Sequence, residues 1–303
     1  MKTISKSKYL SGLQCQKLFW HYYNAKELIP PPDQSTLRLF QQGHDVGALA
    51  RRLFPDGMEI GKGIINPSAV SKLSQAALAQ RKPMFEAGFF HQTAFARADI
   101  LAPVEGNLWD IVEVKSSTEV KDVNIHDMAF QRYVYEGAGL RIRRCILLLI
   151  NNQYIRRGDI DIDRIFLRED VTERVNEILP DVSDQVQRLI PIIAREDCPE
   201  IEIGPQCHDP YDCPLKDHCW NFLPEHNVLS LYRMKKERGF ELVHNGICGI
   251  LDIPADFDFS EKQQIQTDTL RTNTPFLDRD AVCEFLDRLE YPLYFLDFET
   301  FST

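Results

Sequence analysis

The stretch MFEAGFFHQTAFARADILAPVEGNLWDIVEVK, residues 84–115, determines the fold expected of this chain. Its runs 84–90, 94–101 and 108–114 are rich in aromatic and β-branched residues and are separated by short polar junctions. That pattern is typical of strands joined by turns, so the stretch predicts a three-stranded antiparallel meander.

The sequence on either side of the meander predicts helices and one further strand. Apolar residues recur at helical spacing over 5–24, 33–53, 66–80, 122–138 and 171–194, the last interrupted at Pro180. The apolar run 144–150 reads as a buried strand. We therefore expect an α/β protein whose mixed sheet, the meander plus a further strand, is flanked by helices.

Two acids and a lysine fall on adjacent strands of the predicted meander. Asp99 lies on one strand, and Glu113 and Lys115 lie two residues apart on the next, hence on one face. Carboxylates that share an edge repel each other unless a divalent cation lies between them, and their hard oxygens suit Mg²⁺ or Mn²⁺. Lys115 could then orient or help deprotonate a metal-bound water. The alternative is an ordinary exposed strand face.

Further polar residues surround this group in a fixed order along the chain. A histidine lies on an earlier helix, and a glutamine and a tyrosine at i and i+4 share one face of a later helix. The order is His44, Asp99, Glu113-Val114-Lys115, Gln131 and Tyr135. Over about residues 5–222, this arrangement resembles the PD-(D/E)XK nuclease superfamily, specifically its RecB-like branch.

The resemblance implies a restriction-endonuclease-like fold and a role for each of these residues. Asp99, Glu113 and His44 would be metal ligands, and Lys115 would be the water-positioning base. Gln131 and Tyr135 would organise the site or touch the DNA strand. Two nearby acids match no motif position and are interpreted as structural or solvated; they are Asp110 and Asp127.

The chain has eight cysteines, which a reducing compartment would keep as thiols. Cys207, Cys213 and Cys219 follow a C-x5-C-x5-C spacing, and Cys15 could complete a four-cysteine metal site. Zn²⁺ would accept four thiolates, with His208 or His218 able to replace one. The remaining cysteines are interpreted as small buried side chains; they are Cys145, Cys198, Cys248 and Cys283.

The same cysteines extend the resemblance to nucleases that contain an iron–sulfur cluster. CRISPR-associated RecB-type exonucleases and AddB-type helicase-nucleases combine one early cysteine with three late ones. The resemblance implies a [4Fe-4S] cluster held by Cys15, Cys207, Cys213 and Cys219, with zinc as the alternative. The middle spacing departs from the tighter C-x2-C that is common in those families.

The C-terminal run LYFLDFET, residues 293–300, places Asp297 and Glu299 on one face of a predicted strand. It resembles the first motif of the RNase H-like, DEDD-type 3′ to 5′ exonucleases, which implies an incomplete second metal site in a truncated domain. We thus expect a nuclease domain over 1–225, a helical adaptor over 226–290 and the first strand of that domain over 291–303. The alternative is a terminal strand with two solvated acids.

The net charge of −10 is unevenly distributed. Residues 1–160 carry 21 Lys and Arg against 15 Asp and Glu, whereas residues 161–303 carry 14 against 30. The first half could therefore accept a polyanion. No apolar run approaches the length of a membrane span, so we expect a cytoplasmic protein without a membrane partner.

These observations and the resemblance predict a metal-dependent DNA nuclease, an exonuclease that hydrolyses phosphodiester bonds of single-stranded DNA or DNA ends. Trp109 or Tyr135 could stack on bases, or could be core residues. A repair or helicase partner is left unspecified. The alternatives are a catalytically silent nucleic-acid-binding or scaffolding module stapled by a cluster or zinc, and a zinc-stapled domain with no role in DNA binding.

Overall fold

A computed structural model describes residues 2–299 of the chain. These residues form two compact units, 2–220 and 221–299. The first unit contains the sheet, the predicted acids and four of the eight cysteines around one cavity, and the second unit is helical.

One mixed sheet of seven strands organises the described part of the first unit. The strands are β1 (Ile4–Ser5), β2 (Met58–Glu59), β3 (Met84–His91), β4 (Ala94–Pro103), β5 (Leu108–Val114), β6 (Arg141–Ile150) and β7 (Phe166–Asp170). They run in the order β2-β3-β4-β5-β6-β7, and β1 pairs with β4 off this path. Strands β3, β4 and β5 are the predicted antiparallel meander.

The helices of the first unit flank this sheet. They are α1 (Lys6–Gln14), α2 (Gln16–Asn24), α3 (Gln34–Arg51), α4 (Pro67–Ala77), α5 (Asp122–Gly137), α6 (Ile162–Ile165), α7 (Thr172–Ile193) and α8 (Lys216–Cys219). Helix α5 makes the crossover that the parallel pair β5–β6 requires. It is followed by Gly139 at φ 93°, a conformation that favours glycine. The predicted α/β class, a mixed sheet flanked by helices, is confirmed.

Neighbouring strand residues point to opposite faces of the sheet and into two separate cores. Leu101, Ile111 and Leu147 face the core that contains Met128 and Phe130 of α5. The residues beside them face a second core with α3, which comprises Ile100, Val112, Leu148, Val46 and Ala50. Helices α3 and α5 therefore pack on opposite faces of the sheet.

The alternation of side chains changes phase inside the meander. The paired residues Met84 and Leu101, and the paired residues Ala87 and Ala98, lie in the same core although they are three positions apart. Between them, Glu86 has a φ of 59°, a left-handed conformation that is uncommon for residues other than glycine. Asp99 stands opposite Glu86, so the phase change falls on a predicted site residue.

Two helix predictions need correction. The helix expected over 5–24 is two helices, because Cys15 between α1 and α2 is extended, with φ −159° and ψ 119°. Helix α7 runs through Pro180 and Pro191 without a break. A proline inside a helix costs roughly 3 kcal/mol, and the buried stripe of α7 offsets this cost. The stripe is Val175, Val182, Val186, Leu189, Ile192 and Ile193.

The second unit is built from short helices, as the expected adaptor would be. They are α9 (Lys236–His244), α10 (Glu261–Thr272) and α11 (Arg279–Asp287). The predicted strand at the C-terminus is wrong over 291–299, where no residue belongs to a strand. A strand requires a hydrogen-bonded neighbour, and the described chain offers none there. Residues 300–303, the rest of that prediction, lie outside the described residues.

None of the helices described over residues 2–299 combines the length and the apolar character that crossing a bilayer requires.

Candidate active site and cysteine cavity

Glu113 is the centre of a buried network of charged side chains. Its side chain is 2% exposed, and its Oε1 accepts hydrogen bonds from Lys6 Nζ at 2.6 Å and Lys115 Nζ at 2.9 Å. Its Oε2 accepts from Gln131 Nε2 at 2.9 Å. Strand β5 thus supplies the acid, the residue after β5 supplies one lysine, and helices α1 and α5 supply the other two donors.

Asp127 of α5 is bound by the same three donors. Its carboxylate lies 2.7 Å from Lys115 Nζ, 2.9 Å from Gln131 Nε2 and 3.4 Å from Lys6 Nζ. The side chain is 4% exposed, so of the two interpretations of Asp127, structural or solvated, the solvated one is wrong. Asp127 lies one helical turn before Gln131, and this i, i+4 spacing was the signal that could have identified it.

Asp99 approaches this network from β4. Its Oδ2 accepts a hydrogen bond from the Val114 backbone N–H at 2.8 Å. Burial raises the pKa of Asp99, and repulsion from Glu113 raises it further, while Lys6 and Lys115 oppose the shift. The two predicted acids are therefore close enough to interact electrostatically.

The lysines keep Glu113 ionised despite its burial. Burial alone would raise the pKa of Glu113, but Lys115 and Lys6 hold it below its ordinary value. Burial would likewise lower the pKa of each lysine, yet attraction to Glu113 and Asp127 raises both above the ordinary value. Lys6 and Lys115 are therefore ammonium cations in this arrangement.

Tyr135 connects the strands that carry the phase change. Its hydroxyl donates to the Ala87 carbonyl at 2.6 Å and accepts from the Ala98 N–H at 2.7 Å. The residue is completely buried, and burial raises its pKa. Its position fits an organising role for the site. Trp109 is also buried, with Arg81 over its ring, so the structure places both aromatic residues in the core.

His44 and Asp110 lie outside this network. His44 is exposed on α3, which packs on the sheet face opposite α5, and the structure shows no hydrogen bond or ion pair for it among residues 2–299. Its role as a metal ligand stays a prediction. Asp110 is buried and bound by Arg143, whose Nε lies 2.9 Å from Oδ1, which fits the structural reading of that acid.

The four predicted cysteine ligands line one cavity, together with Lys17, Leu18 and Leu215; they are Cys15, Cys207, Cys213 and Cys219. The break between α1 and α2 places Cys15 at this cavity. Burial raises the pKa of Cys213 to about 11, and the three neighbouring thiols contribute to the shift. Side-chain bonds from Gln14 Nε2 to the Gln206 and Tyr211 carbonyls, at 2.8 and 2.7 Å, hold the loop against α1.

The donor set of this cavity suits thiophilic metals. Four thiols converge there, and thiolates are ligands of both iron–sulfur clusters and zinc. Within residues 2–299, no group of three or more His, Cys, Asp and Glu side chains is arranged around a single ion. The iron–sulfur cluster and zinc both stay predictions.

A fifth cysteine belongs to the same region. Cys198 Sγ lies 3.8 Å from Nδ1 of the buried His21, and the Cys219 and Cys15 thiols contribute to raising its pKa, after burial. Cys198 and Cys248 are partly exposed and Cys283 is exposed, so the reading of these three as buried side chains is wrong, whereas Cys145 is buried as expected.

The acids of the C-terminal motif are exposed. Asp297 Oδ1 accepts a hydrogen bond from the following Phe298 N–H at 2.8 Å. Glu299 is exposed, and no strand carries the two acids over 291–299. An incomplete second metal site here stays a prediction.

Comparisons with known proteins place the chain near solved exonucleases at low similarity. No protein-family model matches the chain, and no curated protein matches it. An alkaline exonuclease from Laribacter hongkongensis is 12% identical with a TM-score of 0.28, and its complex with dAMP is 13% identical with a TM-score of 0.34. Both alignments cover 64% of this chain and 90% of that one.

A crystal structure of SSO0001 is 11% identical with a TM-score of 0.34, covering 74% of this chain and 88% of that one. Identities and TM-scores this low do not establish a shared fold or activity. The fold and the buried acid–lysine network define an α/β protein with a candidate active site.

Proposed function

We propose that the chain is a divalent-metal-dependent DNA nuclease that hydrolyses phosphodiester bonds of single strands or duplex ends. The observation that carries this proposal is the convergence of Asp99, Glu113 and Lys115 from adjacent strands. Glu113 and Lys115 are in hydrogen-bond contact, and Glu113 contributes to the raised pKa of Asp99.

The residues of the site suit Mg²⁺ or Mn²⁺. Carboxylate oxygens are the preferred ligands of these hard cations, and a cation between Asp99 and Glu113 would relieve their repulsion. We therefore assign these two acids as ligands, with His44 as the further ligand predicted from the resemblance. A bound divalent metal would supply an activated water and a Lewis acid.

Three residues of the protein orient the reacting groups or stabilise the charge on the phosphate. Lys115 retains its proton, because Glu113 and Asp127 raise its pKa, so we assign it to positioning a water and stabilising charge on the phosphate. Gln131 fixes the Glu113 carboxylate through the bond to Oε2. Tyr135 bonds to Ala87 on β3 and to Ala98 on β4, and so holds the two strands together beside Asp99.

We also propose that the cysteine cavity holds a [4Fe-4S] cluster on Cys15, Cys207, Cys213 and Cys219, with zinc as the alternative. Such a group would link the junction between α1 and α2 to α8 and to the loop before it. The loop has a small apolar core of its own, so an external staple would contribute to its order.

A catalytically silent nucleic-acid-binding module is the second candidate function. One observation favours it, namely that protein donors already engage both oxygens of Glu113. A metal would have to displace at least one of them.

Cleavage assays on the site variants distinguish the two functions. The wild type is incubated with labelled single-stranded and duplex DNA and Mg²⁺ or Mn²⁺, beside Glu113→Gln and Lys115→Met. We expect both variants to lose cleavage, Glu113→Gln to retain DNA binding, and Glu119→Gln, an exposed acid nearby, to match the wild type. Cleavage that persists in both site variants contradicts the assignment, and binding without cleavage in the wild type supports the silent module.

A further inference from the structure

Lys6 enters the acid–lysine network from outside the predicted motif. It is the first residue of α1, and its Nζ lies 2.6 Å from Glu113 Oε1, the same oxygen that Lys115 reaches at 2.9 Å. It also lies 3.4 Å from Asp127. Two lysines from different elements therefore converge on one carboxylate oxygen.

Sharing one oxygen is unfavourable for two cations. The two ammonium groups lie 2.6 and 2.9 Å from the same oxygen, Glu113 Oε1, so they repel each other. Lys115 also pairs with Asp127 at 2.7 Å. An anion placed between the two lysines would relieve their repulsion.

The exposed fractions show which groups an incoming ligand meets. The side chains of Lys6 and Lys115 are 26% and 23% exposed, whereas Glu113 and Asp127 are 2% and 4% exposed. The acids lie beneath the lysines. The two ammonium groups are therefore more accessible than the two acids that they contact, and Asp99 beside them is partly buried.

Each lysine also has a hydrogen-bond donor left over. An ammonium group has three N–H donors. Lys6 and Lys115 each contact two acceptor atoms among the described residues, one on Glu113 and one on Asp127. One N–H of each therefore remains for a ligand on the solvent side.

We infer that Lys6 is a second substrate-binding lysine, which together with Lys115 binds a non-bridging oxygen of a DNA phosphodiester. The inference rests on the proposed nuclease function and adds a residue to that site. A charge-assisted hydrogen bond to a phosphate oxygen satisfies the remaining N–H donors of the two lysines.

The salt dependence of DNA binding tests this role. Binding of fluorescein-labelled oligothymidylate is measured in EDTA at several salt concentrations for the wild type, Lys6→Met and Lys6→Arg. We expect Lys6→Met to weaken binding about tenfold, as loss of one charged hydrogen bond would. Its slope of log affinity against log salt should fall by about 0.7, the contribution of one phosphate on a single strand. Lys6→Arg keeps the charge and should keep the slope.

Lys8→Met is the matched control, because Lys8 lies on the same helix with its ammonium over the Tyr23 ring. Its slope should equal that of the wild type. If Lys6→Met does not fold, the salt dependence of DNA binding is measured on the double variant Lys6→Met/Asp127→Asn, which removes one positive and one negative charge. An unchanged slope in a folded variant that lacks the Lys6 charge overturns the inference.

The experiment separates this inference from the proposed function. A wild type that neither binds nor cleaves DNA removes the nuclease proposal, and the Lys6 role with it. A wild type that cleaves DNA but binds none in EDTA overturns the Lys6 role alone, because the lysine pair would then hold no phosphate without metal.

Discussion

Gln131 donates its side-chain amide to both Glu113 and Asp127, at 2.9 Å in each case. One helix residue thereby fixes an acid on β5 and an acid on its own helix. Its Oε1 is buried and has no hydrogen-bond partner among the described residues. The site is therefore organised from α5 as much as from the strands.

Gln131→Leu should destabilise the protein. The substitution removes a donor shared by two buried carboxylates, and leaving a charged group short of one hydrogen bond costs about 1.5–3 kcal/mol. Urea denaturation measures the free energy of unfolding. Gln187→Leu, at an exposed position of α7, is the control and should leave stability within about 0.5 kcal/mol of the wild type. Equal stability of the two variants would contradict the prediction.

Tyr135→Phe should also lower stability. The variant keeps the ring but leaves the Ala87 carbonyl and the Ala98 N–H without their shared partner inside the core. We expect a loss of about 2 kcal/mol in the free energy of unfolding. Tyr133→Phe is the matched control, since the Tyr133 hydroxyl forms no hydrogen bond within residues 2–299 and its ring meets His91 edge to face. A loss in Tyr133→Phe as large as in Tyr135→Phe would refute this account.

Replacing a cavity cysteine should remove the bound metal. The variants Cys15→Ser and Cys213→Ser should bind substantially less iron than the wild type after anaerobic purification, with about four iron atoms expected in the intact protein. Iron, sulfide and zinc analyses are the measurements. Cys283→Ser, an exposed cysteine of the second unit, should retain the full content. Zinc without sulfide in the wild type would select the zinc alternative.

Asp170→Asn should reduce stability in a pH-dependent way. The Asp170 carboxylate accepts bonds from the Thr172 hydroxyl and N–H at the start of α7, and these hold its pKa below the ordinary value. A depressed folded-state pKa contributes stability above the unfolded-state pKa of about 3.9. That contribution is lost as the pH falls through the folded-state pKa.

Because Asp170 is largely exposed, we expect the difference from the wild type to stay below about 1 kcal/mol at pH 7. It should vanish in strong acid. Thermal unfolding of the two proteins across acidic pH measures this, and a difference that grows on acidification would contradict the assignment.

Local sequence patterns predicted the meander, the helices and the convergence of Asp99, Glu113 and Lys115, because strand period and capping are local properties. The place of Gln131 at the site was implied by the resemblance. The caps illustrate this. Asp33 accepts a bond from the Thr36 N–H, and Asn66 caps α4, as their sequences indicate.

What the sequence could not predict depends on contacts between distant segments. Lys6 meets Glu113 across 107 positions, and no local pattern encodes such a pair. A strict period of two could not predict the change in side-chain alternation at Glu86 and Asp99. Strand β7 is too short and too polar for its sequence to predict it. The extended Cys15 carries neither proline nor glycine beside it, so nothing in its neighbourhood indicates a break.

Helix α1 joins the two candidate centres of the first unit. It begins at Lys6, which contacts Glu113, and ends at Gln14, directly before Cys15 in the cysteine cavity. Nine residues at 1.5 Å each make this a rod of about 13 Å. The acid–lysine network and the cysteine cavity therefore lie at opposite ends of one helix, about two and a half turns apart.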